Sequence, residues 1–168
     1  NTKIKPKGNL PMKFICNQSE LNEALANVSR AVPQKSPITA LEGVKIYLNK
    51  NTLELTGYDL ELGITTKMGV TSEEIGECIL NSKLFSEIIR KMPSESIEIE
   101  IDENLTTTIR GYNAEYKILA MPADEYPSIP DYDTGDNFTI PQPMLKNMIN
   151  QTIFAVAVVD NKPILMGE

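Results

Sequence analysis

The chain has 168 residues, 41% of them apolar and 23% charged, which suffices for one domain with a real core and part of another. It has no histidine, and its two cysteines, Cys16 and Cys78, stand in no metal-ligand spacing, so Ser-His-Asp and Cys-His catalysis and a histidine-based zinc site are excluded within it. The net charge of −7 argues against tight, phosphate-driven nucleic-acid binding, and no run approaches the roughly 18 apolar residues of a membrane helix.

Residues 1–11 (NTKIKPKGNLP) carry Lys3, Lys5 and Lys7 and no core pattern, and read as a leader or an appended, non-native segment. Setting those three lysines aside leaves −10 on the remainder. Residues 12–17 (MKFICN) have strand length and apolar character. Leu21, Leu25, Val28 and Val32 then recur at helical spacing, with Asn17 and Glu20 in a capping-box arrangement, and Pro33 and Pro37 close the helix. Val44, Ile46 and Leu48 alternate with polar residues. A turn at 49–51 leads to Leu53 and Leu55, and a third strand is expected over residues 60–70.

The order then begins again. Residues 76–80 read as a strand, with Asn81 or Ser82 as helix cap. Leu84, Phe85, Ile88, Ile89 and Met92 form an apolar stripe that Pro93 stops. Ile97, Ile99 and Ile101 alternate with acids, Thr107 and Ile109 follow a polar turn, and residues 116–120 complete the set. A β-α-β-β-β unit thus occurs twice with a period of about 60 residues, Cys16 and Cys78 lying on matching strands. The expected class is α+β, with two helices side by side and roughly antiparallel on two four-stranded antiparallel sheets. Residues 124–136 read as a linker. A third unit starts with a strand-like stretch at 138–140 and a helix opened by Pro141 or Pro143, bearing Leu145, Met148, Ile149 and Thr152 on one face. The division expected is 12–134 for the first domain and 135–168 for the start of a second.

Two acidic groups invite a catalytic or metal reading. Asp131, Asp133 and Asp136 (DYDTGD) cluster, but EF-hand spacing and its closing glutamate are absent, and a metal-binding α+β domain using this loop remains the alternative function. Asp59 and Glu61 alternate with Leu60 and Leu62 as if on a strand, without an acid-base partner. No cofactor is expected.

Four stretches carry a family resemblance: MKFICNQSEL at 12–21, TGYDLELGI at 56–64, LNSKLFSEIIRKMP at 80–93 and AMPADEYPSIP at 120–130. Together, in this order, they resemble the β subunit of DNA polymerase III, the bacterial sliding-clamp family. The resemblance implies a DNA-clamp fold with three such domains per protomer, two protomers closing head-to-tail into a homodimeric ring, helices lining the hole and sheets forming the rim. It implies a non-catalytic, cytoplasmic processivity factor whose partners are duplex DNA without sequence preference, the polymerase III catalytic subunit and a clamp loader. The loop Gln34-Lys35-Ser36-Pro37 matches a family loop with a basic DNA contact, which makes Lys35 a candidate against a merely solvated lysine. Opposite the second helix's stripe lie Lys83, Ser86, Glu87 and Arg90, and Lys83 matches a basic family position. On the first helix the same face holds Glu20, Glu23, Asn27 and Arg30, of which Arg30 is the candidate. Such groups would touch phosphates and not base edges. Tyr116 and Ile118, on one side of the last strand, match the ring interface or else belong to the core, and Asn113 and Glu115 stand where some members are basic. Lys162 and Leu165, on the stretch PILMG, match the edge of the pocket for partner peptides.

Overall fold

A computed structural model describes residues 11–130 and 139–156. The chain divides into two compact units, Asn1–Pro130 and Asp131–Glu168.

In the first unit, strand β1 (Met12–Asn17) runs directly into helix α1 (Gln18–Val28), with no loop between them. Asn17 ends the strand and caps the helix, its side-chain oxygen accepting the backbone N–H of Ser19 at 2.9 Å and of Glu20 at 3.2 Å. That satisfies two of the helix's orphan donors. Strands β2 (Gly43–Asn49), β3 (Thr52–Tyr58) and β4 (Gly63–Gly69) follow. The plan repeats as β5 (Ile75–Asn81), α2 (Ser82–Lys91), β6 (Ser96–Ile101), β7 (Thr106–Gly111) and β8 (Ala114–Leu119). Asn81 is again the last strand residue and the cap, accepting from Leu84 N at 3.0 Å. Aligning the caps matches Ile15 with Ile79 and Cys16 with Leu80. The cysteines share equivalent strands but not equivalent positions.

The sheets have the orders β1-β6-β7-β8 and β4-β3-β2-β5, all neighbours antiparallel. Each half therefore gives its first strand to the other half's sheet. Single bridges at equivalent positions, Ile15 to Thr71 and Ile79 to Met121, tie one sheet to the other. The helices lie side by side and antiparallel. The Oγ atoms of Ser29 and Ser82 meet at 3.1 Å at one end, and Gln18 Nε2 donates to the Ile89 carbonyl at 2.7 Å at the other. Between helices and sheets Leu21, Leu25, Phe85 and Ile89 pack on Phe14, Ile46, Leu55, Ile99 and Ile109, all buried. A smaller cluster covers the far side of the second sheet, where Ala40, Leu41 and Tyr126 close over Tyr58 and Ile79.

Three expectations change. Residues 59–62 form a turn and not the start of β4. The Asp59 carboxylate accepts the N–H of Glu61 and Leu62, and Leu60 takes φ 84°, so the alternation of leucines with acids there is not that of a strand. Leu84 is exposed although it reads as part of the apolar stripe, because it lies beside that stripe in the first turn. Residues 124–126 are expected in a linker, but Asp124 and Glu125 form with Ala123 a 3-10 turn (Ala123–Glu125) that seats Tyr126 against the sheet, its hydroxyl donating to the Thr56 carbonyl at 3.3 Å.

In the second unit helix α3 (Gln142–Thr152) starts after Pro141, with Pro143 in its first turn, and a 3-10 turn (Ile153–Ala155) ends it. Leu145, Met148, Ile149 and Phe154 are exposed. Thr139 and Ile140 are outside any strand. Asp131, Asp133, Asp136, Phe138, Lys162 and Leu165 lie outside the described residues.

Candidate nucleic-acid interface

The cations divide by location. On the strands Lys13, Lys45, Lys67, Arg110 and Lys117 are each paired with a glutamate, at 2.7 to 3.6 Å. Around the helix pair Arg30, Lys35, Lys83, Arg90 and Lys91 are exposed, and none of them is in an ion pair among the described residues. Free ammonium and guanidinium groups on one side of a domain are available to phosphates. Groups held by carboxylates are not.

The antiparallel helices set where these groups stand. Lys83 is in the first turn of α2 and Arg30 follows the Ser29 contact, so both occupy the same end of the pair. Arg30 belongs to a 3-10 turn (Ser29–Ala31) and not to α1, which ends at Val28 with the Ser29 N–H as its cap donor to the Leu25 carbonyl. Lys35 sits in the loop beyond, where Glu42 accepts the Ser36 N–H at 3.0 Å and Ser36 Oγ accepts the Ile38 N–H at 3.1 Å. Arg90 stands seven residues from Lys83, about 10 Å along the axis, with Lys91 beside it at the other end. Lys91 escaped the sequence reading, although its adjacency to Arg90 in the last helical turn was a usable signal. The outward face of α1 carries Glu20 and Glu23, so the positive potential is interrupted.

The edge strand β8 has β7 on one side and no strand on the other among the described residues. Tyr116 and Ile118 pair with Ile109 and Thr107, which are buried, so both face the core side. At the open edge Tyr116 is nevertheless 40% exposed, whereas Ile118 packs against the core. On the outer face Arg110 reaches Glu100 at 2.7 Å, Glu115 at 3.0 Å and Glu98 at 3.1 Å. Lys13 joins Glu98 at 2.9 Å and Lys117 joins Glu115 at 3.6 Å. The Lys13 ammonium and Arg110 hold the Glu98 carboxyl below its ordinary value, and Arg110 does the same for Glu115. At the hairpin tip Tyr112 takes φ 49° and is 85% exposed.

Neither thiol is placed for chemistry. Burial, then Glu20, pushes Cys16 up to about 12, and burial, then Glu77, pushes Cys78 up to about 12. No group of three histidine, cysteine, aspartate or glutamate side chains gathers as a metal site among the described residues. An open groove of about 650 Å³ runs where β1 meets the chain after β4, lined by Ile15, Cys16, Glu20, Thr71 and Glu95. Glu20 in its wall disfavours the Cys16 thiolate instead of activating it. No helix among the described residues is long and apolar enough to cross a membrane.

The chain is similar to the beta sliding clamp of Bacillus subtilis, 35% identical over 164 residues that make up 93% of this chain and 43% of that protein. It is 32% identical to the beta sliding clamp of Halalkalibacterium halodurans over the same shares. The crystal structure of the Bacillus subtilis DNA polymerase sliding clamp superposes with a TM-score of 0.86 at 34% identity, covering 92% of this chain and 43% of that one. The chain thus spans under half the length of these relatives. Residues 12–130 match the family described as DNA polymerase III beta subunit, N-terminal domain, and this chain belongs to that family.

Proposed function

We propose that the protein of which this chain is part is a sliding clamp. It encircles duplex DNA and holds the replicative polymerase to it, and has no catalytic activity of its own. The observation that carries the reading is the partition of cations. Strand cations are neutralised by glutamates, while Arg30, Lys35, Lys83 and Arg90 around the helix pair are left free among the described residues. A ring retains DNA by closure and needs only weak phosphate contacts, which fits a chain whose net charge is −7 and whose α1 face carries Glu20 and Glu23. Contacts of this kind read no sequence.

In this reading residues 12–134 form the first clamp domain and 135–168 begin the second. Two copies of the full-length protein close head-to-tail, with Tyr116 and Ile118 on the β8 edge at the ring interface. Lys162 and Leu165 stand at the edge of a pocket for peptides of the polymerase III catalytic subunit and the clamp loader. The ring works in the cytoplasm. Membership of the family supports each of these assignments. The test is a full-length clamp with Lys35→Glu and Lys83→Glu. The ring should form normally in sedimentation, while its lifetime on circular DNA shortens or its loading fails. A double variant that loads and slides like the parent would remove both lysines from the interface.

A further inference from the structure

Lys35 lies on a loop with little of its own to hold it. Pro33 and Pro37 lack an N–H, so residues 33–37 keep only the backbone donors of Gln34, Lys35 and Ser36. Among the described residues a single hydrogen bond reaches from 33–37 to the body of the unit, and it runs from the Ser36 N–H to Glu42 Oε1 at 3.0 Å. Glu42 itself stands on a packed base. It ends a 3-10 turn (Thr39–Glu42) whose Ala40 and Leu41 are buried against Tyr58, Ile79 and Tyr126. The next residue, Gly43, opens β2 in so little space that a Cβ there would lie 2.3 Å from the Ile79 side chain and 3.2 Å from the Ala40 carbonyl oxygen. The carboxylate thus reaches from a fixed point to a loop that has none. It does not neutralise the cation that the loop carries, because Glu42 and Lys35 form no ion pair among the described residues.

We propose that Glu42 is a positioning residue for the DNA interface: its carboxylate holds the Ser36 amide and so presents Lys35 to a phosphate of the duplex, while itself touching no DNA. This rests on the DNA reading above and adds to it how the Lys35 contact is held. A loop without the tether must be ordered when the phosphate binds, and the entropy lost in ordering it weakens the contact. Glu42 therefore strengthens binding to a polyanion although its own charge opposes it. That sign is the reverse of what simple electrostatics gives, since removing an acid near the interface should by charge alone tighten binding.

The experiment measures, by fluorescence anisotropy, the affinity of the full-length protein for a short linear duplex at about 50 mM salt, where phosphate contacts are strongest. Lys35→Ala should weaken binding about fivefold and make the salt slope shallower by about one. Glu42→Ala should weaken it about threefold, although it removes an acid. Glu42→Gln, whose side-chain oxygen can still accept the Ser36 N–H, should bind like the parent or more tightly. In the Lys35→Ala background Glu42→Ala should cause no further loss, which a general destabilisation of the domain would not reproduce. If Lys35→Ala weakens binding while Glu42→Ala binds as well as the parent or better, the inference is overturned and the DNA reading stands. A Glu42→Ala loss that persists without Lys35, or that Glu42→Gln shares, overturns it equally. No effect of Lys35→Ala would remove that lysine from the interface and the inference with it. Should Glu42→Ala not fold, hydrogen exchange in the parent decides: the Ser36 amide should exchange more slowly than those of Gln34 and Lys35, and equal rates at all three would refute the tether.

Discussion

The two sheets of the first unit are built on one plan and finished differently. In each, a helix descends onto a strand glycine, the cap asparagine ends a strand, and a bridge two residues earlier ties the sheets together. Outside that frame they diverge. The β4-β3-β2-β5 sheet has part of its outer face roofed by Ala40, Leu41 and Tyr126, beside the pairs Lys45–Glu77 and Lys67–Glu54, whereas the β1-β6-β7-β8 sheet leaves its outer face to a lattice of ion pairs. A repeated unit thus yields one sheet whose outer face is partly closed by burial and one whose outer face stays solvated. Burial of an aromatic stabilises by far more than exposed ion pairs do. The roofed sheet should therefore be the more stable of the two.

The largest expected effect tests that difference directly. Tyr126→Ala should destabilise the fold by about 3 kcal/mol in urea denaturation, since it empties a buried site and removes a hydrogen bond to Thr56. Arg110→Ala, at the centre of the opposite outer face, should shift the same transition hardly at all. If the two cost the same, the contrast between the sheets is wrong. Next come the paired glycines. A Cβ at Gly57 would lie 2.2 Å from the Val28 carbonyl oxygen, a backbone atom, while a Cβ at Gly111 would meet the Met92 side chain at 2.9 Å. Gly57→Ala should cost about 2–3 kcal/mol and Gly111→Ala less than about 1 kcal/mol, because methionine yields and a helix end does not. Equal losses would show that the first helix end also gives way.

The caps should differ by less. Asn17 accepts two backbone N–H groups and the Ser19 hydroxyl, while Asn81 accepts one N–H. Asn17→Ala is expected to cost about 1 kcal/mol and Asn81→Ala about half as much, read from thermal melting. The smallest effect concerns acid. Glu98 and Glu115 are held below their ordinary values by Lys13 and Arg110. Their contribution is present above the unfolded carboxylate range and is lost as pH falls through the folded values. Melting temperature should therefore drop slightly between about pH 5 and about pH 3, less so in Arg110→Gln. An identical acid slope in that variant would mean the network contributes nothing.

Much of this was legible in the sequence, for local reasons. Asn17 and Asn81 announce their helices because a cap is read from residues next to it. Ile97, Ile99 and Ile101 announce a strand because the pleat repeats every second residue. The exchange of first strands between the halves was not legible. The alternation in Met12–Asn17 is the same whether it pairs with its own half or the other, and only register distinguishes them. The turn at Asp59 misled because Leu60 and Leu62 imitate a strand while the carboxylate folds the backbone beneath them. At the candidate interface Lys83 and Arg90 follow from helical geometry. Their freedom from ion pairs does not, since it depends on where every glutamate lies.

The exchanged first strand also sets an order of events during synthesis. β1 leaves the ribosome before the other described strands, yet its partner β6 lies roughly eighty residues further along the chain. At about 5–20 residues per second, that separation lasts on the order of several seconds. The other sheet faces no such delay. β2, β3 and β4 precede β5, so that sheet closes as soon as Ile75–Asn81 emerges. The nascent chain therefore carries Phe14 and Cys16 on a strand that still lacks β6, with only the Thr71 bridge available to it, and the β1-β6-β7-β8 sheet is the later of the two to form.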